Sequence, residues 1–414
     1  MNQREFDVIV WGASGFTGRL VAAYLLGRYG VGGELRWAMG GRSESKLQEV
    51  RQELGAAAAE VPLVLADADD QALLDIMAAR ARVVCSTVGP YALYGSKLVA
   101  ACAHHGTHYC DLTGEVQWMR RMIDTHHQRA RDTGARIVHT CGFDSIPSDL
   151  GTLCVQQEMQ RRHGVPCAAV KLRAREMRGG FSGGTVASML NMLAEADRDP
   201  AVRDVVADPY GLNPEGERSG LDGPERTLPE YDRDVNAWVT PFIMAAINTR
   251  VVRRSNALSG FAYGRDFRYE EGMVMPFGPW GFPLAAGLST ASAAMSGAAS
   301  LALVRRALAP MLPQPGQGPS QQAREAGYYV IDMLGKHPHD RAADVTVRIR
   351  GQGDPGYGST SRMLGEAAVC LARDTLMSQG GVLTPATAMG EALLARLPLH
   401  AEVTFDVVES FSGL

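Results

Sequence analysis

The sequence predicts an α/β protein: a Rossmann-type doubly wound parallel sheet followed by a second α+β domain built on a mixed or antiparallel sheet. Three observations carry that expectation. The apolar run Asp7-Val8-Ile9-Val10-Trp11 stops at a glycine-rich turn, Gly12-Ala13-Ser14-Gly15-Phe16-Thr17-Gly18, after which Leu20, Val21, Tyr24 and Leu25 recur at helical spacing. Strand and helix patterns then alternate to about residue 150, which is the rhythm of a parallel sheet with crossover helices. Beyond that point several segments show partial period-two patterning instead. At 414 residues the chain has room for two or three domains. We expect a dinucleotide-binding domain over 1–150, a substrate and dimerisation domain over 151–350, and C-terminal helices and a strand over 351–414 that partly return to the first domain.

Composition removes several classes. Hydrophobic residues make up 46% and charged residues 21%, as in soluble globular proteins and unlike disordered chains. A formal net charge of -4 argues against nucleic acid as a partner. Val8 to Trp11 is too short for a signal-peptide core, so a cytoplasmic protein is expected. Cys85, Cys102, Cys110, Cys141, Cys154, Cys167 and Cys370 are scattered without a C-x-x-C pair, and are expected as reduced thiols. His104, His105 and His108, or His337 and His339, lack matching carboxylate or cysteine spacing, so no metal site is expected.

In the first third, strands are expected at Leu35 to Met39, Val61 to Leu65, Val83 to Ser86, Tyr109-Cys110 and Ile137 to His139. Helices are expected at Ala72 to Ala81, Lys97 to His105 and Val116 to Thr133. The glycine turn, with Gly12, Ser14, Gly15, Phe16, Thr17 and Gly18, would let backbone approach a pyrophosphate, whose charge the helix N-terminus favours. Its spacing is G-x-x-G-x-x-G, and the flanking strand and helix supply the context such a fingerprint needs. The second strand ends without the acid that would hold a ribose 2′-hydroxyl. Arg42, Ser43 and Lys46 stand there instead, which favours NADP(H) over NAD(H). The competing reading makes Arg42 and Lys46 a solvated helix start, with Glu44 as a ribose ligand.

In doubly wound sheets, ligands sit beyond the carboxyl ends of the strands. This singles out Asp67, the segment Ser86-Thr87-Val88-Gly89-Pro90-Tyr91, the segment Asp111 to Glu115, and the segment Thr140 to Asp149.

The glycine turn, Gly41-Arg42-Ser43, Thr87-Val88-Gly89-Pro90-Tyr91, Leu112-Thr113-Gly114-Glu115 and Gly142-Phe143-Asp144-Ser145-Ile146-Pro147-Ser148-Asp149 together resemble the saccharopine dehydrogenase-like oxidoreductases. Within that group the chain most resembles the trans-acting enoyl reductases of bacterial polyketide-lipid synthesis, through stretches such as Gly179 to Thr185, Asn248 to Leu258, Gly353 to Tyr357 and Leu383 to Gly390. The resemblance covers nearly the whole chain. It implies NADP-dependent reduction of an activated C=C bond in a long acyl or polyketide-type precursor, supplied in trans by a synthase lacking its own enoyl reductase. An imine-forming, saccharopine reductase-like C–N oxidoreductase is the enzymatic alternative. A cofactor-bound, lipid-associated scaffold without turnover is the non-enzymatic one.

Enoyl reduction needs a hydride, a stabilised enolate oxygen and a proton donor. Thr87, Val88, Gly89 and Pro90 are expected beside the nicotinamide, with Tyr91 and Asp144 as the catalytic pair. Tyr94, Thr113, Glu115, Phe143, Ser145, Ser182 and Arg250 are expected on the substrate side.

Later segments raise further expectations. Strands are expected at Cys167 to Glu176, Tyr263 to Tyr269, Gly327 to Met333, Ala343 to Arg350 and Ala401 to Val408, and helices at Val186 to Ala196, Gly365 to Met377 and Ala388 to Leu397. Asp197 to Trp238 reads as a long loop. Gly180-Phe181-Ser182-Gly183-Gly184 matches a nucleophile elbow, with Ser182 as the nucleophile and His400 as base of a serine hydrolase, although an anion or backbone-contact site suits it better. Arg250, Arg253 and Arg254 read either as a solvated basic strand end or as a clamp for a carrier phosphate. Gly272 to Val304 carries no charge. We expect a helix buried in the protein or at a homodimer interface, with peripheral contact with lipid as the alternative.

Overall fold

The computed structural model describes residues 4–179, 183–300 and 318–408. Strands β1 (Phe6–Trp11), β2 (Trp37–Gly41), β3 (Leu63–Leu65), β4 (Ala81–Ser86), β5 (His108–Cys110) and β6 (Arg136–Val138) build the first sheet. The second contains β7 (Ala169–Arg178), β8 (Glu230–Asp232), β9 (Ala237–Thr240), β10 (Arg268–Val274), β11 (Tyr328–Lys336) and β12 (Val345–Gln352). Two late strands divide between them: β13 (Gly381–Leu383) joins the first sheet and β14 (Val403–Val408) the second.

The first sheet has the order β13-β6-β5-β4-β1-β2-β3, and every pairing in it is parallel. Val8, Ile9 and Val10 of β1 are fully buried, as a central parallel strand covered on both faces requires. The strand order reverses between β1 and β4, so the loops leaving those strands flank the crevice where such sheets bind ligands. The expected Rossmann-type sheet is therefore present, with one strand contributed from near the end of the chain.

The second sheet runs β14-β12-β11-β7-β10-β9-β8 and is mixed: β7 and β10 are parallel, and the other pairs are antiparallel. Register explains its two faces. Leu172 pairs with Met333 and Met333 with Val347, while Ala174 pairs with Ile331 and Ile331 with Ile349. This apolar face receives the helix Ile146–His163, where a Cβ on Gly151 would lie 2.7 Å from Ile349 Cδ1. The opposite face is ionic. Arg173 of β7 reaches Asp232 and Glu270, and Asp332 of β11 is held between Arg175 and Arg348.

Several expectations need revision. The strand foreseen at Tyr263 to Tyr269 begins only at Arg268, because Asn256 ties Tyr263 N–H and the Gly264 carbonyl into a turn. Asp197 to Trp238 is not wholly a loop, since it contains the helix Pro200–Ala207 and strand β8. The late helix starts at Gly358 and stops at Arg373, seven residues before the region foreseen for it begins and four before it ends. The uncharged stretch from Gly272 begins in β10 and continues as the helix Phe282–Ser300, in which Phe282, Leu284 and Leu288 are exposed. Residues 301–304 of that stretch lie outside the described residues. Among the described residues no helix is long and apolar enough to cross a membrane.

The late helix Gly358–Arg373 locks onto the first one, Phe16–Tyr29, through a single carboxylate. Glu366 is fully buried and accepts hydrogen bonds from Tyr24 Oη at 2.6 Å, Tyr29 Oη at 2.6 Å and Arg396 Nε at 2.8 Å. Removing Glu366 strands the Tyr24 and Tyr29 hydroxyls and takes away one of the two carboxylates that hold Arg396, the other being Asp374. Glu366→Ala is therefore expected to cost about 3–5 kcal/mol, read as a lowered urea midpoint at unchanged slope.

Candidate active site

The carboxyl ends of β1, β2, β4, β5 and β6 bring together the segments singled out above. The glycine turn follows β1. Gly12 has φ +86°, and a Cβ there would lie 2.6 Å from Val88 Cγ2 and 2.9 Å from Thr87 Oγ1. Thr87 N donates to the Trp11 carbonyl at 2.9 Å, so the β1 and β4 loops are one backbone-lined floor. At Gly18 a Cβ would lie 2.1 Å from the Gly12 oxygen, which makes this glycine the packing contact between turn and helix. Gly15 is exposed and caps the helix without a side-chain hydrogen bond, and the first turn holds no acidic residue. Ser14, Phe16 and Thr17 are half-buried around it. Such a turn can take a pyrophosphate on its free N–H groups.

At the end of β2, Arg42 and Lys46 are exposed, and their side chains make no hydrogen bond or ion pair among the described residues. Ser43 caps the helix Glu44–Glu53, its hydroxyl accepting from Lys46 N at 3.4 Å. Two free cations and a hydroxyl thus stand together, with the chemistry a 2′-phosphate requires. Asp67, after β3, accepts from Asp69 N at 2.9 Å, so its carboxylate shapes its own turn.

The β4 loop continues through a cis peptide bond between Gly89 and Pro90. Tyr91 is buried. Its hydroxyl donates to the Ser86 carbonyl and accepts from Leu112 N, both at 3.2 Å, while its ring stacks on Trp118. Burial also pushes the phenol well above its ordinary pKa. Tyr91 therefore braces two strand-end loops, a different part from the reactive one expected of it. Glu115 is also buried and serves as an anchor: its carboxylate accepts from Tyr91 N at 2.7 Å, Ala92 N at 2.9 Å and Ser188 Oγ at 2.8 Å. Burial raises its pKa against those three hydrogen bonds. Thr113 Oγ1 accepts from Glu115 N, and Tyr94 points outward, 43% exposed.

The loop after β6 supplies the reactive candidate. Asp144 is half-buried, and its carboxylate makes no hydrogen bond or ion pair to another residue among those described. Desolvation, with the charge of Asp111 adding to it, pushes the carboxyl up to about 7. On either side the loop is fastened. Phe143 N donates to Thr360 Oγ1 at 2.9 Å and the Phe143 ring meets Tyr329 edge-on, while Ser145 Oγ donates to Asn248 Oδ1 at 2.9 Å. Beneath it lies a buried pair that no spacing revealed, His139 Nδ1 at 2.8 Å from Asp111 Oδ2. The helix contact of Ser188 was equally hidden, since nothing in the order of residues links Ser188 to Glu115.

One expected member, Arg250, lies elsewhere. Arg250, Arg253 and Arg254 are on the helix Ala245–Leu258, not at a strand end, and all three are buried. Arg250 holds Glu225 and the carbonyls of Val206 and Asp208; Arg253 holds Asp222 and the carbonyls of Pro209 and Tyr269; Arg254 donates to the carbonyls of Leu212 and Val382. Most of their donors fasten residues 206–225 to the domain, and Arg254 Nε, which has no partner among the described residues, is buried, so the trio presents no clamp for a phosphate. Ser182 lies outside the described residues. His400 sits against Arg28 of the first helix.

Comparison with known proteins agrees with this geometry. Residues 8–138 match the Saccharopine dehydrogenase NADP binding domain. A trans-acting enoyl reductase of Mycobacterium bovis (strain BCG / Pasteur 1173P2) is 42% identical over 414 residues, covering 96% of each chain, and that of Mycobacterium ulcerans (strain Agy99) is 41% identical over 416 residues with the same coverage. A Mycobacterium tuberculosis protein whose name also places it with the trans-acting enoyl reductases is 45% identical over 406 residues, covering 95% of this chain and 96% of its own. Among solved structures, apo saccharopine dehydrogenase (L-Glu forming) from Saccharomyces cerevisiae shares the fold, with a TM-score of 0.51 at 12% identity over 97% of this chain and 99% of its own. With an NADP-binding first domain and relatives matched along almost its entire length, the chain belongs to the trans-acting enoyl reductases of the saccharopine dehydrogenase-like oxidoreductases.

Proposed function

We propose that the protein reduces the activated C=C bond of an acyl or polyketide-type chain, presented by a synthase that lacks this activity, and that it uses NADPH in preference to NADH. The reading is supported most by Asp144, a carboxyl pushed up to about 7 by desolvation, with no partner from another of the described residues, at the carboxyl edge of the nucleotide sheet. The relatives named as enoyl reductases support the reaction type, and the free Arg42 and Lys46 support the cofactor preference.

NADPH held at the glycine turn would supply the hydride for the β-carbon of an enoyl thioester. The protein must then furnish a proton for the α-carbon and keep the reacting faces in register. Below about pH 7 the Asp144 carboxyl carries that proton, because its surroundings penalise the charged form. Being half open, it can recover a proton from solvent after each turnover. Tyr91 and Glu115 act as positioning residues. By holding the Ser86 carbonyl, Leu112 N–H and the amides of Tyr91 and Ala92, they fix the loop that faces the nicotinamide in this reading. Thr113, Phe143 and Ser145 hold the neighbouring loops still. Exposed apolar side chains at Phe277, Trp280, Phe282, Leu284 and Leu288, close together in sequence, support a lipid-like substrate, carrier-bound at its far end.

NADPH oxidation measured with enoyl thioesters, against 2-oxo acid plus amine pairs, tests the reaction: consumption only with the imine-forming pairs would overturn the proposal. Asp144→Asn is expected to lower kcat at least about 100-fold with NADPH binding unchanged. In the parent protein kcat should fall as pH rises through about 7, where Asp144 loses its proton, and the asparagine variant should lose that limb. Arg42→Ala should weaken NADPH binding by about 10-fold or more and leave NADH binding unchanged, as titrated by fluorescence.

A further inference from the structure

The glycine turn is roofed by parts of the chain more than three hundred residues from Phe16 in sequence. Phe16, the first residue of the first helix, carries three contacts from the second half of the chain. The Tyr357 ring meets it edge-on with centroids 4.6 Å apart, the Arg324 guanidinium lies 5.4 Å from its centroid, and Gly318 packs so closely that a Cβ would come within 2.4 Å of the ring. These residues form one rigid piece. Asp354 N donates to the Arg324 carbonyl at 2.8 Å, and the Asp354 carboxylate accepts from Tyr357 N at 3.0 Å and Gly358 N at 2.9 Å. Gly327 has no room for a side chain, since its Cβ would lie 2.3 Å from Asp354 N.

The charge on this roof is poorly compensated. Arg324 is half-buried and donates to the Pro319 carbonyl at 2.7 Å, and no carboxylate lies within ion-pairing distance of it among the described residues. Asp354 is near enough for its charge and that of Arg324 to attract, but it forms no ion pair with Arg324, and its oxygens accept from backbone N–H groups. Arg324 is thus carried toward the N-terminus of a helix, itself a partial positive charge, with no acidic residue in the first turn to offset the two. The Phe16 ring and the Pro319 carbonyl hold the guanidinium there, but neither cancels its charge beside the helix N-terminus. An anion between them would satisfy both.

We propose that Arg324 is a dinucleotide-binding residue, its guanidinium pairing with the cofactor pyrophosphate at the Gly12–Gly18 turn so that the bound dinucleotide ties the roof of the second sheet to the nucleotide sheet. The inference rests on the dinucleotide lying on that turn, and it requires neither the enoyl substrate nor the preference for NADPH. A pyrophosphate contact is blind to the 2′-phosphate. That separates Arg324 from Arg42.

Dissociation constants for NADPH, NADH and 2′-AMP, measured by calorimetry on the full chain without substrate, test it. Arg324→Gln should weaken NADPH and NADH alike, by about 10-fold or more, and leave 2′-AMP, which has no pyrophosphate, unchanged. Arg324→Lys should recover part of the loss, since it restores charge without the planar fork. Arg42→Ala gives the complementary pattern, weakening NADPH and 2′-AMP and sparing NADH. If Arg324→Gln and Arg324→Lys both bind NADPH and NADH as the parent does, the proposal fails. It fails equally if Arg324→Gln weakens NADPH and 2′-AMP and spares NADH, because Arg324 would then read the 2′-phosphate. Unchanged 2′-AMP affinity in the glutamine variant also shows that its fold is intact.

Discussion

The structure depends on how closely three backbone segments approach one another at the end of β1. Gly18 rests on the Gly12 carbonyl, and Gly12 in turn rests on Thr87 and Val88, at distances that leave no room for a β-carbon. A side chain at either glycine would push the first helix away from β1 or the β4 loop away from the turn. The N–H groups opening the helix would then no longer face the crevice at the β1/β4 reversal. Much that surrounds this contact holds it in place: Glu115 fixes the β4 loop from below, and Glu366 fixes the first helix from behind.

Guanidinium groups do two different jobs here, separated by burial and partner. Arg173, Arg250, Arg253 and Arg254 are buried and spend most of their donors on carboxylates and carbonyls: Arg173 rivets strands of the second sheet together, and the other three rivet residues 206–225 to the domain. Their desolvation is expensive, to the point that Arg254 is held down to about 9. Arg42 stays exposed and unpaired among the described residues, so it is available to a ligand. The carboxyls divide similarly. Glu115 and Glu366 are saturated with donors, while Asp144 has none from another residue.

How much of this was legible in the sequence follows from the range of each interaction. Strand, glycine turn and helix are local, so Gly12 to Gly18 and the basic residues at the end of β2 could be found by spacing alone. Motif placement was legible as well, because the parallel sheet gathers every strand's carboxyl end on one edge. The Arg250 trio was misplaced because charge at helical spacing looks the same whether it faces water or the carbonyls of residues 206–212. Tyr91 was given a reactive role because its position in the loop is local information, whereas the Ser86 and Leu112 backbone groups that occupy its hydroxyl depend on how two strands lie side by side. Arg324 had no local signal at all: only the folded chain brings it over Phe16.

The strand β13, described above as the late addition to the first sheet, has a consequence for how the protein is made. Its three residues pair with β6, which is complete some 240 residues earlier in the chain. During synthesis the nucleotide sheet therefore waits with the outer edge of β6 open while β7 to β12 of the second sheet are translated. Unpaired edges of that kind are where nascent chains stick to one another. The polypeptide emerging from the ribosome must shield that edge for many seconds at ~5–20 residues per second, so chaperone dependence would be concentrated in that interval.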